Sequence, residues 1–310
     1  MKKNQETNQN VTKYSHKALE VIEKNRIDLY SSYKKHNSLK FVVTVICLIA
    51  ILVAFILIPS LNLGGLGTTL TVVIAIVALA LTYGYSVYVR KKFDRRMKDY
   101  FNVYFECINE YALEGKEFSK IELQNPGKIT LEEFNECLLY KDVVEAGSRG
   151  LTNFKYKKLD LSIVDCAGNV KAEKRMKPVF VGKMVRSKAS YKGDKPILIY
   201  IKGNDRALPP TNLEGVKNVL DDSKMAIYSD SKTWKKVITG PVMKALGAIK
   251  TEKILVDVAI SIYGGKVYVM MGYDDPLMVL PLQEEFNPAP TEKYKKDIKA
   301  VAALVEALNK

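Results

Sequence analysis

The sequence predicts an α+β chain: an N-terminal two-helix transmembrane hairpin followed by a cytoplasmic domain of antiparallel sheet with flanking helices. Three observations carry that prediction. From Phe41 to Val89 there are 49 consecutive residues without Lys, Arg, Asp or Glu. Short period-two segments recur after residue 140, among them the pair around Gly264-Gly265. The last 20 residues repeat apolar positions at three- and four-residue spacing, as an amphipathic helix does.

The charge-free block holds two spans. Phe41–Ile58 covers about 27 Å as a helix, just enough for a hydrocarbon core of about 30 Å. Thr68–Val89 crosses comfortably with some tilt. Between them, Pro59 and Gly64-Gly65 stop one helix and turn the chain. The net charge of +14 is unevenly placed. Residues 1–40 carry +5, residues 90–98 carry +5, and the 212 residues from 99 onward carry only +4. Lys34, Lys35 and Lys40 precede the first span, and Arg90, Lys91, Lys92, Arg95, Arg96 and Lys98 follow the second. Positive charge stays on the cytoplasmic side, so a multi-pass plasma-membrane protein with both termini cytoplasmic is expected. These nine side chains are the expected contacts with anionic headgroups. Tyr83, Tyr85 and Tyr88 sit where interfacial aromatics belong.

Four regions follow: residues 1–40, polar at first and then an amphipathic helix from about Ser15 to Lys35; 41–89, the hairpin; 90–113, a juxtamembrane helix with an aromatic stripe; and 114–310, the α+β domain. Within the last, Thr130-Leu131-Glu132-Glu133 matches a capping box and predicts a short helix to about Leu139. Strands are expected at Asp142–Gly147, Leu151–Ile163, Pro178–Ser190, Pro196–Lys202 and Lys224–Ser229. Trp234–Lys250 reads as helix broken at Gly240-Pro241. Ile254–Tyr263 and Lys266–Gly272 form a hairpin around a two-glycine turn. Thr291–Asn309 closes the chain as a helix.

Signatures of chemistry are sparse. Both histidines, His16 and His36, precede the first span, so Ser-His-Asp and Cys-His catalysis within the domain is excluded. There is no Walker A motif, no G-x-G-x-x-G and no H-E-x-x-H. Cys47, Cys107, Cys137 and Cys166 are widely spaced and read as reduced packing residues. Ser229-Asp230-Ser231-Lys232 fits S-x-x-K, but reads better as a polar cap before Trp234. Asp221-Asp222 and Asp274-Asp275 could hold Mg²⁺ or Ca²⁺, but sit where turns favour Asp. No catalytic, cofactor or metal residue is assigned.

The C-terminal third runs LDDSKMAIYSDSK, TGPVMKALGAI, ILVDVAISIYGGKVYVMMGY, a Pro-containing loop and a final helix. With LDLSIVDC and KPVFVGKMV upstream and the paired anchor, this resembles the bacterial membrane proteins grouped as domain of unknown function 3137. Met225 and Ala226 stand where that family is Phe-rich. The resemblance implies topology and fold, and no functional residues. Lys outnumbers Arg 40 to 8, a bias of AT-rich bacterial genomes.

The sequence therefore leans toward a non-enzymatic binding or scaffold domain held beneath a bacterial plasma membrane. It would act on a cytoplasmic or membrane protein or peptide partner in envelope or signalling processes, without nucleic acid and with self-association left open. The alternative is a membrane-tethered enzyme using carboxylate, Lys or Mg²⁺ chemistry without histidine. Transport ranks third, because the spans contain no charge.

Overall fold

The computed structural model describes residues 16–61, 64–124, 129–173, 175–201, 213–230, 232–252, 255–273 and 282–310. Residues 1–12, read as a polar tail, and Asp274-Asp275 lie outside them. The described residues form six helices and nine strands, and the strands make one entirely antiparallel sheet. The α+β prediction holds. The chain divides into two compact units, one built on residues 20–103 with 282–285, the other on 104–281 with 286–310 and the short segment 14–19. The division falls inside the predicted 90–113 helix.

The first unit is dominated by two long helices, α1 (Lys17–Ser60) and α2 (Gly65–Ala112). Both are long and apolar enough to cross a membrane by length and composition. The sequence placed an amphipathic helix and a span in succession; the structure fuses them into α1. The segment from Lys35 to Phe41 contains neither Gly nor Pro, so nothing breaks the helix there. Gly64, at φ 54°, occupies a left-handed conformation just before α2 begins.

Within this unit Cys47, Ala54 and Ile58 of α1 and Thr71, Ala78 and Val89 of α2 are buried. Cys47 and Ala54, like Thr71 and Ala78, are a heptad apart, the spacing of a helix–helix seam. The remaining apolar side chains are bare: Phe41 and Ile56 are each 70% exposed and Leu66 is 78% exposed. Hydroxyls of Thr44, Thr71, Thr82 and Ser86 donate to carbonyls four residues back, so these four need no acceptor outside their own helix. Nearer the start of α1, Arg26 grips Glu23 through two bonds of 2.7 and 2.6 Å and donates to the Leu282 carbonyl at 2.9 Å.

The second unit holds the sheet. Strands β1 (Phe118–Gln124), β2 (Val143–Tyr156), β3 (Leu159–Ala172) and β4 (Arg175–Lys188) form a meander. It continues through β9 (Lys266–Tyr273), β8 (Leu255–Tyr263), β5 (Ile197–Ile201), β7 (Met225–Ser229) and β6 (Lys217–Asp221). The expected strand Leu151–Ile163 is corrected to the end of β2 and the start of β3, joined by a turn at Lys157-Lys158. Alternation runs on both sides of it, and only the adjacent Lys157-Lys158 interrupts the period, with no Gly, Pro or Asn at that point to mark the reversal. Strands β1 and β6 were not anticipated. Both are exposed edge strands, without the buried alternating face that marks a strand in sequence.

The expected β8–β9 hairpin is present, and Gly264 and Gly265 have φ 57° and 78°, a two-residue turn that side chains would strain. Helix α3 (Leu131–Asn135) begins with the capping box as read: Thr130 accepts from the Glu133 amide at 3.1 Å, and Glu133 accepts from the Thr130 amide at 2.8 Å. It stops at Asn135, short of the expected Leu139, where Leu138 adopts φ 56°. Its Phe134 ring lies on Gly168 of β3, where an added Cβ would come within 2.5 Å of the ring. Helices α4 (Thr233–Val237) and α5 (Gly240–Leu246) divide at Gly240-Pro241 as expected. Helix α6 (Ala289–Leu308) buries Ile298, Val301, Ala302, Leu304, Val305 and Leu308.

The two sheet faces have different cores. On one, Val164, Cys166, Met184 and Met270 pack with Phe134, Leu139, Tyr140 and Phe180. On the other lies a buried polar cluster. Asp165 and Lys183 are direct cross-strand partners, 1% and 0% exposed at their side chains, and form an ion pair. The Lys183 ammonium also donates to Asn109 Oδ1 at 3.3 Å and sits 4.6 Å from the Tyr294 ring centroid. Asn109 Oδ1 accepts from the Tyr294 hydroxyl at 2.9 Å, and its Nδ2 donates to Thr152 at 2.9 Å. Asp165 Oδ2 has no hydrogen-bond partner among the described residues.

Candidate functional site

A groove of about 530 Å³ lies at the end of the face that α3 covers. Strand register builds it. Glu122 faces Asn153, Asn153 faces Ser162, Ser162 faces Arg186, and Arg186 faces Tyr268. One continuous polar row thus crosses five strands. At a strand spacing of about 4.8 Å the row is roughly 19 Å long. A second row lies two residues away along each strand, on the same face: Lys155 faces Asp160, and Lys188 faces Lys266. Lys120 reaches the groove from β1, and Glu133 and Glu136 overhang it from α3 and its end. Ser162 and Tyr268 are buried beneath an exposed rim of Lys120, Glu122, Asp160, Lys188 and Lys266.

The charges are paired in a definite order. Arg186 bridges Glu133 at 3.2 Å and donates to Ser162 at 2.9 Å. Lys266 bridges Glu136 at 2.8 Å, and the Tyr268 hydroxyl donates to the same carboxylate at 2.6 Å. Those two bonds, Lys266 first, hold the Glu136 carboxyl below its ordinary range. Lys155 bridges Asp160 at 2.8 Å, and that bond is the main reason the Asp160 carboxyl is also depressed, with Lys188 and Lys120 adding to it. Burial pushes the Tyr268 phenol upward, so it remains a donor. Lys120, Lys188 and Glu122 have no ion pair among the described residues.

A general acid or base works best with its pKa near the operating pH. The groove carboxyls that shift are moved in the opposite direction and are already engaged by cations. The arrangement suits binding: fixed charges, hydroxyl and amide groups above a buried floor.

The nine cations expected to flank the spans lie elsewhere, on α1 and α2. Lys34, Lys35, Arg90, Lys91, Lys92, Arg95, Arg96 and Lys98 are exposed and Lys40 is half-buried. Arg96 donates to Ser32 at 2.5 Å, Lys92 stands 5.7 Å from the Tyr88 ring, and Arg90 lies 4.0 Å from Asp94. Lys92 and Arg96 share a cavity of only about 10 Å³ with His36 and Tyr33, room for about one water.

The weaker motifs resolve as local structure. Asp222 accepts from the amides of Lys224 and Met225, a turn as expected. Asp230 accepts from the amides of Lys232 and Thr233, a polar cap before Trp234, also as expected. Neither Asp221 nor Asp222 lines the groove. All four cysteines are free and buried, and burial pushes the Cys137 thiol up to about 12. Among the described residues no group of three or more His, Cys, Asp or Glu could hold a metal ion.

Sequence reading missed the groove entirely. Its residues come from six elements spread over residues 120–268, and only register aligns them. The signal present in sequence was the capping box that places Glu133.

No protein-family model and no curated protein matches the chain. Among solved structures, the crystal structure of the mycobacterial trehalose monomycolate transport factor A, TtfA, aligns over 65% of this chain and 93% of that one. The identity is 8% and the TM-score 0.39, a likeness too slight to bear on fold or function.

Proposed function

We propose that this chain is a membrane-anchored binding protein: α1 and α2 cross the bacterial plasma membrane as a hairpin, with both termini cytoplasmic and the sheet unit as a cytoplasmic recognition module. The observation that carries the reading is the bare apolar surface of α1 and α2. Side chains such as Phe41, Leu52, Ile56 and Leu79 are more than half exposed along both helices. Water would penalise each by about 1.5–3 kcal/mol relative to burial, whereas lipid would cover them. The cations at Lys34, Lys35, Lys40 and from Arg90 to Lys98 support the cytoplasmic side for both ends. A resemblance to domain of unknown function 3137 in element order and short strings fits the same reading. The groove is the surface through which the module takes a protein or peptide partner in envelope or signalling processes.

Deleting residues 41–89 tests the anchor. The truncated protein is expected in the soluble fraction, and its persistence in carbonate-washed membranes sinks the proposal. Crosslinking in native membranes, with and without charge reversal at Arg186, tests the groove as the recognition surface.

A further inference from the structure

The groove retains two unfavourable features, and both belong to lysines. Lys120 sits at φ 50°, a left-handed conformation that costs a side-chain-bearing residue stability and that glycine adopts freely. It lies in a bulge, where the β1–β2 register slips between Ser119 and Glu122. A bulge re-aims a side chain, and here Lys120 joins the groove lining. The second feature is Lys188 directly opposite Lys266 on neighbouring strands, a like-charge cross-strand pair, which destabilises a sheet. Lys266 is relieved by Glu136, but Lys188 has no ion pair among the described residues. Both lysines also bear on Asp160, whose carboxylate is already engaged by Lys155. Three ammonium groups therefore surround one end of the groove, and the single carboxylate among them is spoken for.

Resting on the reading of the groove as a recognition surface, we infer that its lysine end, Lys120, Lys155 and Lys188, is a site for a phosphate monoester. A monoester carries a charge of about −1.5 to −2 near neutral pH, matching the two cations left without a carboxylate. A phosphodiester, as in a phospholipid headgroup, carries one charge and leaves one lysine unmatched. The adjoining row supplies what a substituent on the phosphate needs: the Asn153 amide, the Ser162 and Tyr268 hydroxyls, and Glu122, two residues from Lys120 on β1, to accept from a hydroxyl or ammonium. The ester has two sources of the same chemistry, a free phosphorylated metabolite or a phosphorylated side chain of the partner.

The test uses the full chain in nanodiscs of zwitterionic phosphatidylcholine, titrated calorimetrically with glycerol 3-phosphate, a short phosphoserine peptide and glycerophosphocholine. Both monoesters should bind saturably and at least about tenfold more tightly than the diester. A higher affinity for the peptide assigns the source to a partner protein, and equal affinity assigns it to a free ester. Lys188→Ala should weaken monoester binding about tenfold while Lys188→Arg retains it. Lys120→Gly should weaken binding while leaving Tm unchanged or raised, because glycine relieves the left-handed backbone. A purely structural lysine at either position predicts no change in affinity. Equal binding of diester and monoester, absence of saturable monoester binding at millimolar concentration, or unchanged affinity in both variants overturns the inference. A protein that stays in membranes and still captures a partner, yet binds no monoester, fails this inference while leaving the anchored binding module standing.

Discussion

The helical unit and the sheet unit use the same residue types in opposite ways. In α1 and α2, Ile, Leu, Val and Phe face outward and the buried seam is made of smaller side chains such as Cys47, Ala54, Thr71 and Ala78. In the sheet, Ile163, Val164, Ile199, Val258 and Val269 are fully buried, and the outward positions carry charge. Even the polar groups follow the contrast. The hydroxyls of Thr71 and Thr82 donate within their own helix, whereas the sheet buries a whole Lys–Asp–Asn–Tyr cluster on one face. Two apolar regions of similar composition are thus matched to two different solvents, if the hairpin lies in lipid as proposed.

The comparison breaks most severely at the buried pair. Asp165→Ala leaves the Lys183 ammonium buried without its carboxylate and should cost about 3–5 kcal/mol in chemical denaturation. Asp165→Leu combined with Lys183→Met should recover most of that loss, because paired apolar replacements of a buried ion pair are often neutral. Charged substitutions on the helices come next. Leu79→Arg, at a side chain 64% exposed, should be nearly silent if that face meets water. In lipid it should cost about 2.5–3.5 kcal/mol of insertion, read as a fall in membrane-integrated protein.

Within the sheet unit, Gly168→Ala forces the Phe134 ring off β3 and should lower stability by about 1–3 kcal/mol. Because α3 carries Glu133 into the groove, the same change should weaken groove binding. Thr130→Ala removes one arm of the capping box, a loss of about 1 kcal/mol measured as a shift in the denaturation midpoint. The smallest effect is the pH response of the groove. Glu136 and Asp160 have depressed pKa values in the folded protein, so they are more stabilising when charged. Their contribution is present above their ordinary values of 4.5 and 3.8 and fades as acid takes the pH through the lower folded values. Glu136→Gln should flatten that part of an acid-denaturation curve.

How much of this was legible depended on the range of the interaction. The capping box, the Gly264-Gly265 turn, the break at Gly240-Pro241 and the apolar stripe of α6 are local devices, and each appears where the residues place it. The β2–β3 reversal at Lys157-Lys158 was misread because alternation alone does not mark a turn without Gly, Pro or Asn. Strand β1 escaped because six of its seven residues are exposed, leaving no buried face to set a period. Nothing in the sequence joins Glu122, Asn153, Ser162, Arg186 and Tyr268.

The sequence by itself determined the long charge-free block, the basic residues at its borders, the α+β class and the absence of domain histidines. These are properties of composition and short-range periodicity, fixed once the order of residues is known. The tertiary structure alone decided that Lys188 meets Lys266, that Asp165 meets Lys183, and that one polar row crosses five strands to make a groove. Antiparallel pairing brings together residues far apart in the chain, Arg186 and Tyr268 among them, and a shift of one residue in register would turn each row to the opposite face.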